Sequence, residues 1–140
     1  MSARYFLDTN IFVYTFDSQA PVKKQRAREL VQQAIQSGDG IISTQVIQEF
    51  LNVALRKFTV PLSLADSKAY LRQVLFPLCH VYPDFSLYES CLDIQQRSGF
   101  AFYDSLIVAA AIAGGCPVLY SEDMQHGFML AGVTIQNPFL

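Results

Sequence analysis

Apolar positions along this chain follow two alternating patterns. Short solid runs end abruptly on polar residues: Tyr5-Phe6-Leu7 before Asp8, Ile41-Ile42 before Ser43, Cys79-His80-Val81-Tyr82 before Pro83, Pro117-Val118-Leu119-Tyr120 before Ser121, and Val133-Thr134-Ile135 before Asn137. Runs of that length bounded by turn residues predict buried strands. Between them, apolar residues recur at helical spacing. Val22 to Ser37 carries Ala27, Leu30, Val31, Ala34 and Ile35 on one side, Gln45 to Phe58 carries Val46, Ile47, Phe50, Val53 and Ala54, and Leu64 to Pro77 follows a capping Ser63. Ser43 or Thr44 is placed to cap the second of these. A fourth helix is predicted from Ser86 to Ser98, closed by Gly99, and a fifth leads through the all-apolar Leu106 to Ala113 to a stop at Gly114-Gly115. Ile11 to Phe16 predicts a short turn of helix, and Phe128 to Leu130 a turn or short helix. Strands alternating with helices predict an α/β domain around a largely parallel sheet of about five strands, with right-handed crossovers.

At 140 residues, with 51% hydrophobic and 16% charged residues, the chain suits one globular domain over residues 1–140. No apolar run approaches the ~20 residues of a membrane span, and the N-terminus lacks a basic stretch leading into an apolar one. The expectation is a soluble, cytoplasmic protein with no membrane partner. Cys79, Cys91 and Cys116 are odd in number and set in apolar sequence, which predicts buried thiols rather than disulfides or a zinc site. A formal charge of −2 and a pI near 5.5 exclude nucleic-acid binding by bulk positive charge. They leave room for an acidic metal site, where bound cations reverse the local field.

Four acids stand out by position. Asp8 ends the first strand, Asp123 follows the fourth, Asp104 opens the buried helix, and Glu49 lies between Val46 and Val53 on an apolar helix stripe. Each has an ordinary alternative: Asp104 is suited to the positive pole of its helix, and Glu49 to a buried ion pair with an arginine. All four can nonetheless meet at the carboxyl edge of the sheet, where ligands of open α/β folds bind. Two carboxylates about 4 Å apart repel by roughly 4 kcal/mol at an effective dielectric of 20, so such a cluster demands protons or cations. Oxygen donors without His or Cys select Mg²⁺ or Mn²⁺ over zinc. Lys23, Lys24, Arg26 and Arg28 crowd the first half of their helix, either as a solvated face or as a phosphate-contacting patch beside the acids.

Four segments then fall in a familiar order: Phe6-Leu7-Asp8-Thr9-Asn10, Ser43 to Phe50, Phe102-Tyr103-Asp104-Ser105-Leu106-Ile107, and Leu119-Tyr120-Ser121-Glu122-Asp123-Met124. Over nearly its whole length the chain resembles a PIN domain, and within that family the VapC-type toxin ribonucleases of toxin–antitoxin systems. The resemblance implies a three-layer α/β/α domain and a metal-dependent endoribonuclease. Asp8, Glu49, Asp104 and Asp123 would hold one or two Mg²⁺ or Mn²⁺ ions, with Thr9, Asn10 and Ser121 in supporting positions. Asp123 matches the family's Ser/Thr-x-Asp pattern, while the adjacent Glu122 remains an alternative ligand. Water would attack the RNA phosphodiester in line with the leaving oxygen, leaving 5′-phosphate and 3′-hydroxyl ends. Alternatives within the same fold are an RNA-processing nuclease or a non-catalytic nucleic-acid-binding module. A phosphatase using Asp8 as nucleophile is disfavoured, because Asn10 stands where a second acid would be needed.

The two helices Gln45 to Phe58 and Leu64 to Pro77 carry more apolar residues than one face readily buries. Leu51, Leu55, Phe58, Tyr70, Leu71, Leu75 and Phe76 are therefore expected to form an exposed apolar surface. By resemblance, that surface would receive a small antitoxin whose basic side chain approaches the acids, and the chain would form a homodimer.

Overall fold

The structure, a computed structural model, describes residues 3–140. Strand β1 (Tyr5–Leu7) leads directly into the short helix α1 (Thr9–Tyr14), then α2 (Pro21–Ser37), β2 (Gly40–Ser43) and α3 (Thr44–Arg56). After α4 (Leu64–Tyr70) a π turn (Leu71–Leu75) and a single turn α5 (Phe76–Leu78) reach β3 (Cys79–Val81). Helices α6 (Phe85–Ser98) and α7 (Phe102–Ala113) return the chain to β4 (Val118–Tyr120), and β5 (Met129–Leu130) and β6 (Val133–Gln136) complete it.

The sheet order is β3-β2-β1-β4-β6-β5, and every pairing is parallel except β5 with β6. From β1 the chain first builds outward through β2 to β3, then crosses back to lay β4 on the other side of β1. A topological switch point therefore lies between the carboxyl ends of β1 and β4, where two crossovers leave in opposite directions and open a crevice.

Helices cover both faces. A side chain at Gly40 would collide with Ala34 of α2, and one at Gly114, past the end of α7, would collide with Ile41. Gly40 and Ile41 are consecutive in β2 and so point to opposite faces. The core between the layers holds Phe6, Leu7, Ile41, Ile42 and Leu119 from the sheet, Ala27, Leu30 and Ala34 from α2, and Leu106 to Ala111 from α7. Such solid apolar strands are what a parallel sheet buried on both faces requires.

Local chemistry explains most element ends. Asp8, Ser63 and Asp84 cap α1, α4 and α6 by accepting from the N–H groups of Thr9, Asp66 and Leu87, and Gly99 closes α6 in the left-handed region at φ 77°. Ser43 sits at the cap position of α3, yet its buried hydroxyl makes no capping bond. The three cysteines are buried and unpaired.

Three expectations need correction. The helix expected from Leu64 to Pro77 is interrupted by the π turn. Pro77 has no N–H for the carbonyl of Gln73 and its ring crowds that carbonyl, so the coil widens ahead of it and Phe76 N–H donates to Leu71. The segment around Phe128 to Leu130 is a strand rather than a helical turn, giving six strands where about five were expected. Ala131 and Gly132 both take positive φ, 51° and 82°, as a two-residue hairpin turn requires, and fold β5 back on β6. Finally, Leu75 is fully buried, and Leu51, Phe58, Tyr70 and Leu71 pack partly against the core, leaving only Leu55 and Phe76 of that set exposed. Of the partly packed residues, Phe58 and Tyr70 join Phe16 and Phe50 in an aromatic stack with ring centroids 5.0–6.1 Å apart.

Candidate active site at the switch point

Asp8 is the first residue beyond β1, and its backbone N–H still donates to Tyr120 of β4, which fixes the carboxylate over the crevice. Only 7% of it is exposed. Thr9 N–H donates to one carboxylate oxygen at 2.7 Å and the Ser121 hydroxyl to the other at 2.8 Å. Burial nonetheless pushes the Asp8 carboxyl up to about 6, with the nearby charges of Glu49 and Asp123 adding to the rise. The two hydrogen bonds pull the other way without cancelling it.

The other acids arrive from three directions. Glu49 is carried on α3, one turn beyond Gln45, and accepts from the Thr9 hydroxyl at 2.6 Å. Gln45 reaches Glu49 at 3.4 Å while donating to the backbone carbonyl of Tyr103 at 3.1 Å, so it ties α3 to the start of α7. Asp104 lies in the first turn of α7, half-buried, and its carboxyl is raised by burial and then by the charges of Asp123 and Glu49. Asp123 lies on the loop after β4 and accepts from the Asn10 side chain. Asp8, Glu49, Asp104 and Asp123 thus lie within reach of one another's charge; Thr9 holds Asp8 and Glu49, Ser121 holds Asp8, and Asn10 holds Asp123.

Among the described residues no group of three or more acids, histidines or cysteines closes tightly enough to form a coordination shell. Glu49 and Asp123 are drawn toward Thr9 and Asn10 instead. The donor set is nevertheless made of carboxylate and hydroxyl oxygens, the chemistry that suits Mg²⁺ or Mn²⁺, and its members repel one another as a shared cation would relieve.

Glu122 faces away from this set. It forms an ion pair with Lys23 of α2 at 2.6 Å and accepts from the Tyr14 hydroxyl. Although burial pushes its carboxyl up, Lys23 and Tyr14 together hold it below the ordinary value. Three consecutive residues of the loop are thereby anchored, Ser121 to Asp8, Glu122 to Tyr14 and Lys23, and Asp123 to Asn10. The remaining basic residues of α2 are spread along the helix, with Lys24 donating to Ser18, Arg26 to the Pro138 carbonyl and Arg28 to the Thr15 carbonyl.

Gln45 and Tyr14 were not singled out from the sequence. Gln45 carried a usable signal, since a residue four positions before an inward-facing Glu on a helix shares its face. Tyr14 carried none, because its partner is 108 residues away.

The comparisons accord with this architecture. Among solved structures, the chain is similar to a toxin–antitoxin complex from Klebsiella pneumoniae (TM-score 0.68, 17% identity, 98% of each chain covered). It is similar to DNA-bound VapBC from Salmonella typhimurium (0.67, 19%, covering 98% of this chain and 99% of that one), and to VapBC2 from Rickettsia felis bound to a promoter DNA fragment (0.62, 18%, 95% and 97%). At these identities the likeness concerns the fold. No curated protein matches the sequence. Residues 5–127 match the PIN domain model, and the chain belongs to the PIN domain family.

Proposed function

We propose that this chain is a Mg²⁺- or Mn²⁺-dependent endoribonuclease, acting as the toxin of a VapC-type toxin–antitoxin pair. The observation that carries the reading is the coupling of four carboxylates from four separate elements at the switch point, each within the electric field of others. Nuclease chemistry is general among PIN domains, and solved structures of similar fold include a toxin–antitoxin complex and DNA-bound VapBC.

In this reading Asp8, Glu49, Asp104 and Asp123 hold the metal. A divalent ion bound there would supply positive charge against the scissile phosphate and lower the pKa of the attacking water. The chain's own residues prepare that site. Thr9 N–H and Ser121 fix both oxygens of Asp8, the Thr9 hydroxyl and Gln45 aim Glu49, and Asn10 aims Asp123. Asp104 sits at the positive pole of α7, which favours its ionised form against the neighbouring charges. Lys23, Lys24, Arg26 and Arg28 are assigned contacts to the RNA backbone. Each Arg donates one bond to the protein and retains further N–H donors for phosphate. Replacing all four by Ala is expected to reduce the slope of log affinity against log salt. An unchanged slope would return α2 to the role of a solvated face.

An antitoxin segment is assigned to the cavity of about 560 Å³ beside α1 and α3, whose apolar wall is Val13, Phe16, Val53, Phe58, Val60 and Leu62 and whose rim carries Asp17 and Lys57 among other polar residues. Val13 and Val53 of its lining lie four residues beyond Thr9 and Glu49 on the same helices, so a basic side chain of the partner would reach along them toward the acids, and an Arg fork paired with two carboxylates would displace the cation they need. A homodimer working on RNA in the cytoplasm completes the proposal; no described helix is long and apolar enough to cross a membrane.

The deciding experiment is cleavage of RNA by the purified chain. Hydrolysis should require Mg²⁺ or Mn²⁺, stop in EDTA and leave 5′-phosphate and 3′-hydroxyl ends. Undiminished cleavage in excess chelator, with 2′,3′-cyclic phosphate ends, would refute the proposed chemistry.

A further inference from the structure

Two aromatic side chains stand in solvent immediately before Asp104. Tyr103 is 64% exposed and Phe102 38%, although both belong to the first turn of a helix whose next two turns are buried. Their rings meet edge to face, with centroids 5.2 Å apart and planes at 82°. The backbone beneath them is pinned at both residues: Gln45 donates to the Tyr103 carbonyl at 3.1 Å, and the Cys91 thiol to the Phe102 carbonyl at 3.5 Å. Gln45 also touches Glu49, so one side chain links the aromatic pair to the acid cluster. An exposed pair of rings on a fixed backbone, one residue from a proposed metal ligand, is not accounted for by core packing.

We propose that Tyr103, braced by Phe102, is a stacking platform for a base of single-stranded RNA next to the scissile phosphate. The proposal rests on the ribonuclease reading and names how that site grips its substrate. Carboxylates and metal ions act on the phosphate and carry no hold on a base. Basic residues contact the backbone and likewise leave the base free. A flat ring offers a face to any unpaired base, and a Tyr side chain with two rotatable torsions loses little entropy in doing so. A base held there would align its own phosphate with the acids. Paired bases have both faces occupied by their neighbours, so the platform selects unpaired RNA. A second copy of this chain is the competing occupant, because Phe85, Tyr88 and Leu92 form another exposed stripe on the adjacent α6.

The chain contains no tryptophan, so Tyr103→Trp installs one tryptophan at the site, whose emission is excited selectively over that of the tyrosines. In an Asp8→Asn background, which keeps the RNA intact, a short single-stranded RNA should quench its emission, and the same ribose-phosphate backbone without bases should not. Tyr103→Ala should weaken binding of the base-bearing RNA by roughly 5- to 160-fold, the range for one base–aromatic stack, and leave the abasic backbone unaffected. Tyr103→Phe, which keeps the ring, should restore binding.

Equal response to both oligomers, or none from the base-bearing one that binds, would overturn the platform while leaving the ribonuclease reading in place. Unchanged RNA affinity in Tyr103→Ala, with conversion of a dimer to a monomer in sedimentation, would overturn it in favour of a contact between copies. Failure of the unaltered chain to bind RNA at all would overturn the ribonuclease reading and the platform together.

Discussion

Asp8→Asn is expected to reduce RNA cleavage by roughly 10²- to 10³-fold, the scale on which losing one preorganised charge-stabilising group is felt. The substitution keeps the size of the side chain and retains an oxygen for Thr9 N–H, while the Ser121 hydroxyl can turn to accept from the new amide. What disappears is the negative charge. Asp104→Asn is expected to behave alike, because its carboxylate belongs to the same coupled set. Folding of both variants, checked by circular dichroism and thermal melting, should survive. Turnover at the unaltered rate by either one would exclude it from the catalytic set.

A second large effect is expected in the stability of the metal-free protein. The Asp8 carboxyl is held at about 6 in the folded chain against an ordinary value of 3.8. A carboxyl raised on folding binds its proton more tightly in the folded state, so below 3.8 it costs nothing. As pH climbs through the interval the folded state must ionise a buried group that the unfolded state ionises freely, and stability falls until the folded value is passed. The full loss is about 3 kcal/mol above pH 6. Asp104, also raised, acts in the same direction.

Denaturation in chelator should therefore show the unaltered protein losing stability between about pH 4 and 6, with Asp8→Asn flatter over that range and more stable than the parent near neutrality. Added Mg²⁺ should raise the melting temperature of the parent near neutral pH and do so far less for the variant. A parent and variant with parallel stability profiles would show that the Asp8 charge is not destabilising in the metal-free fold. The catalytic experiment and this one separate two properties of the same residue, since a carboxylate strained by burial and by its neighbours is both costly to the fold and ready for a cation.

How much of this was legible beforehand differs from element to element. The solid apolar runs before Asp8 and Ser121 identified β1 and β4, and the helical stripes located α2, α3, α6 and α7 to within a residue or two. The four acids were visible because each sits where a strand or helix signal meets a charge that the signal does not explain. The hairpin of β5 and β6 was not visible. Its turn is Ala131-Gly132, and alanine rarely accepts the positive φ that asparagine or aspartate would have advertised. The excess of apolar residues from Leu51 to Phe76 predicts an exposed surface, whereas Leu75 is buried, Leu51 and Leu71 pack against the core, and Phe58 and Tyr70 enter the aromatic stack around Phe50.

The choice between Glu122 and Asp123 shows where the division lies. Both are acids on the same loop after the same strand, and local pattern treats them almost alike. Their separation comes from what the crossovers bring alongside: Lys23 and Tyr14 to one, Asn10 to the other. By itself, the sequence determined the kind and order of the elements and which residues carry charge at their ends, because hydrogen-bonding periodicity, capping and turn chemistry act over a few residues. Tertiary structure alone decided which acids share an electric field, how far burial raises Asp8, and that Tyr103 stays in solvent beside them. Those properties depend on distances between residues tens of positions apart, which are set only when the strands take their places around the switch point.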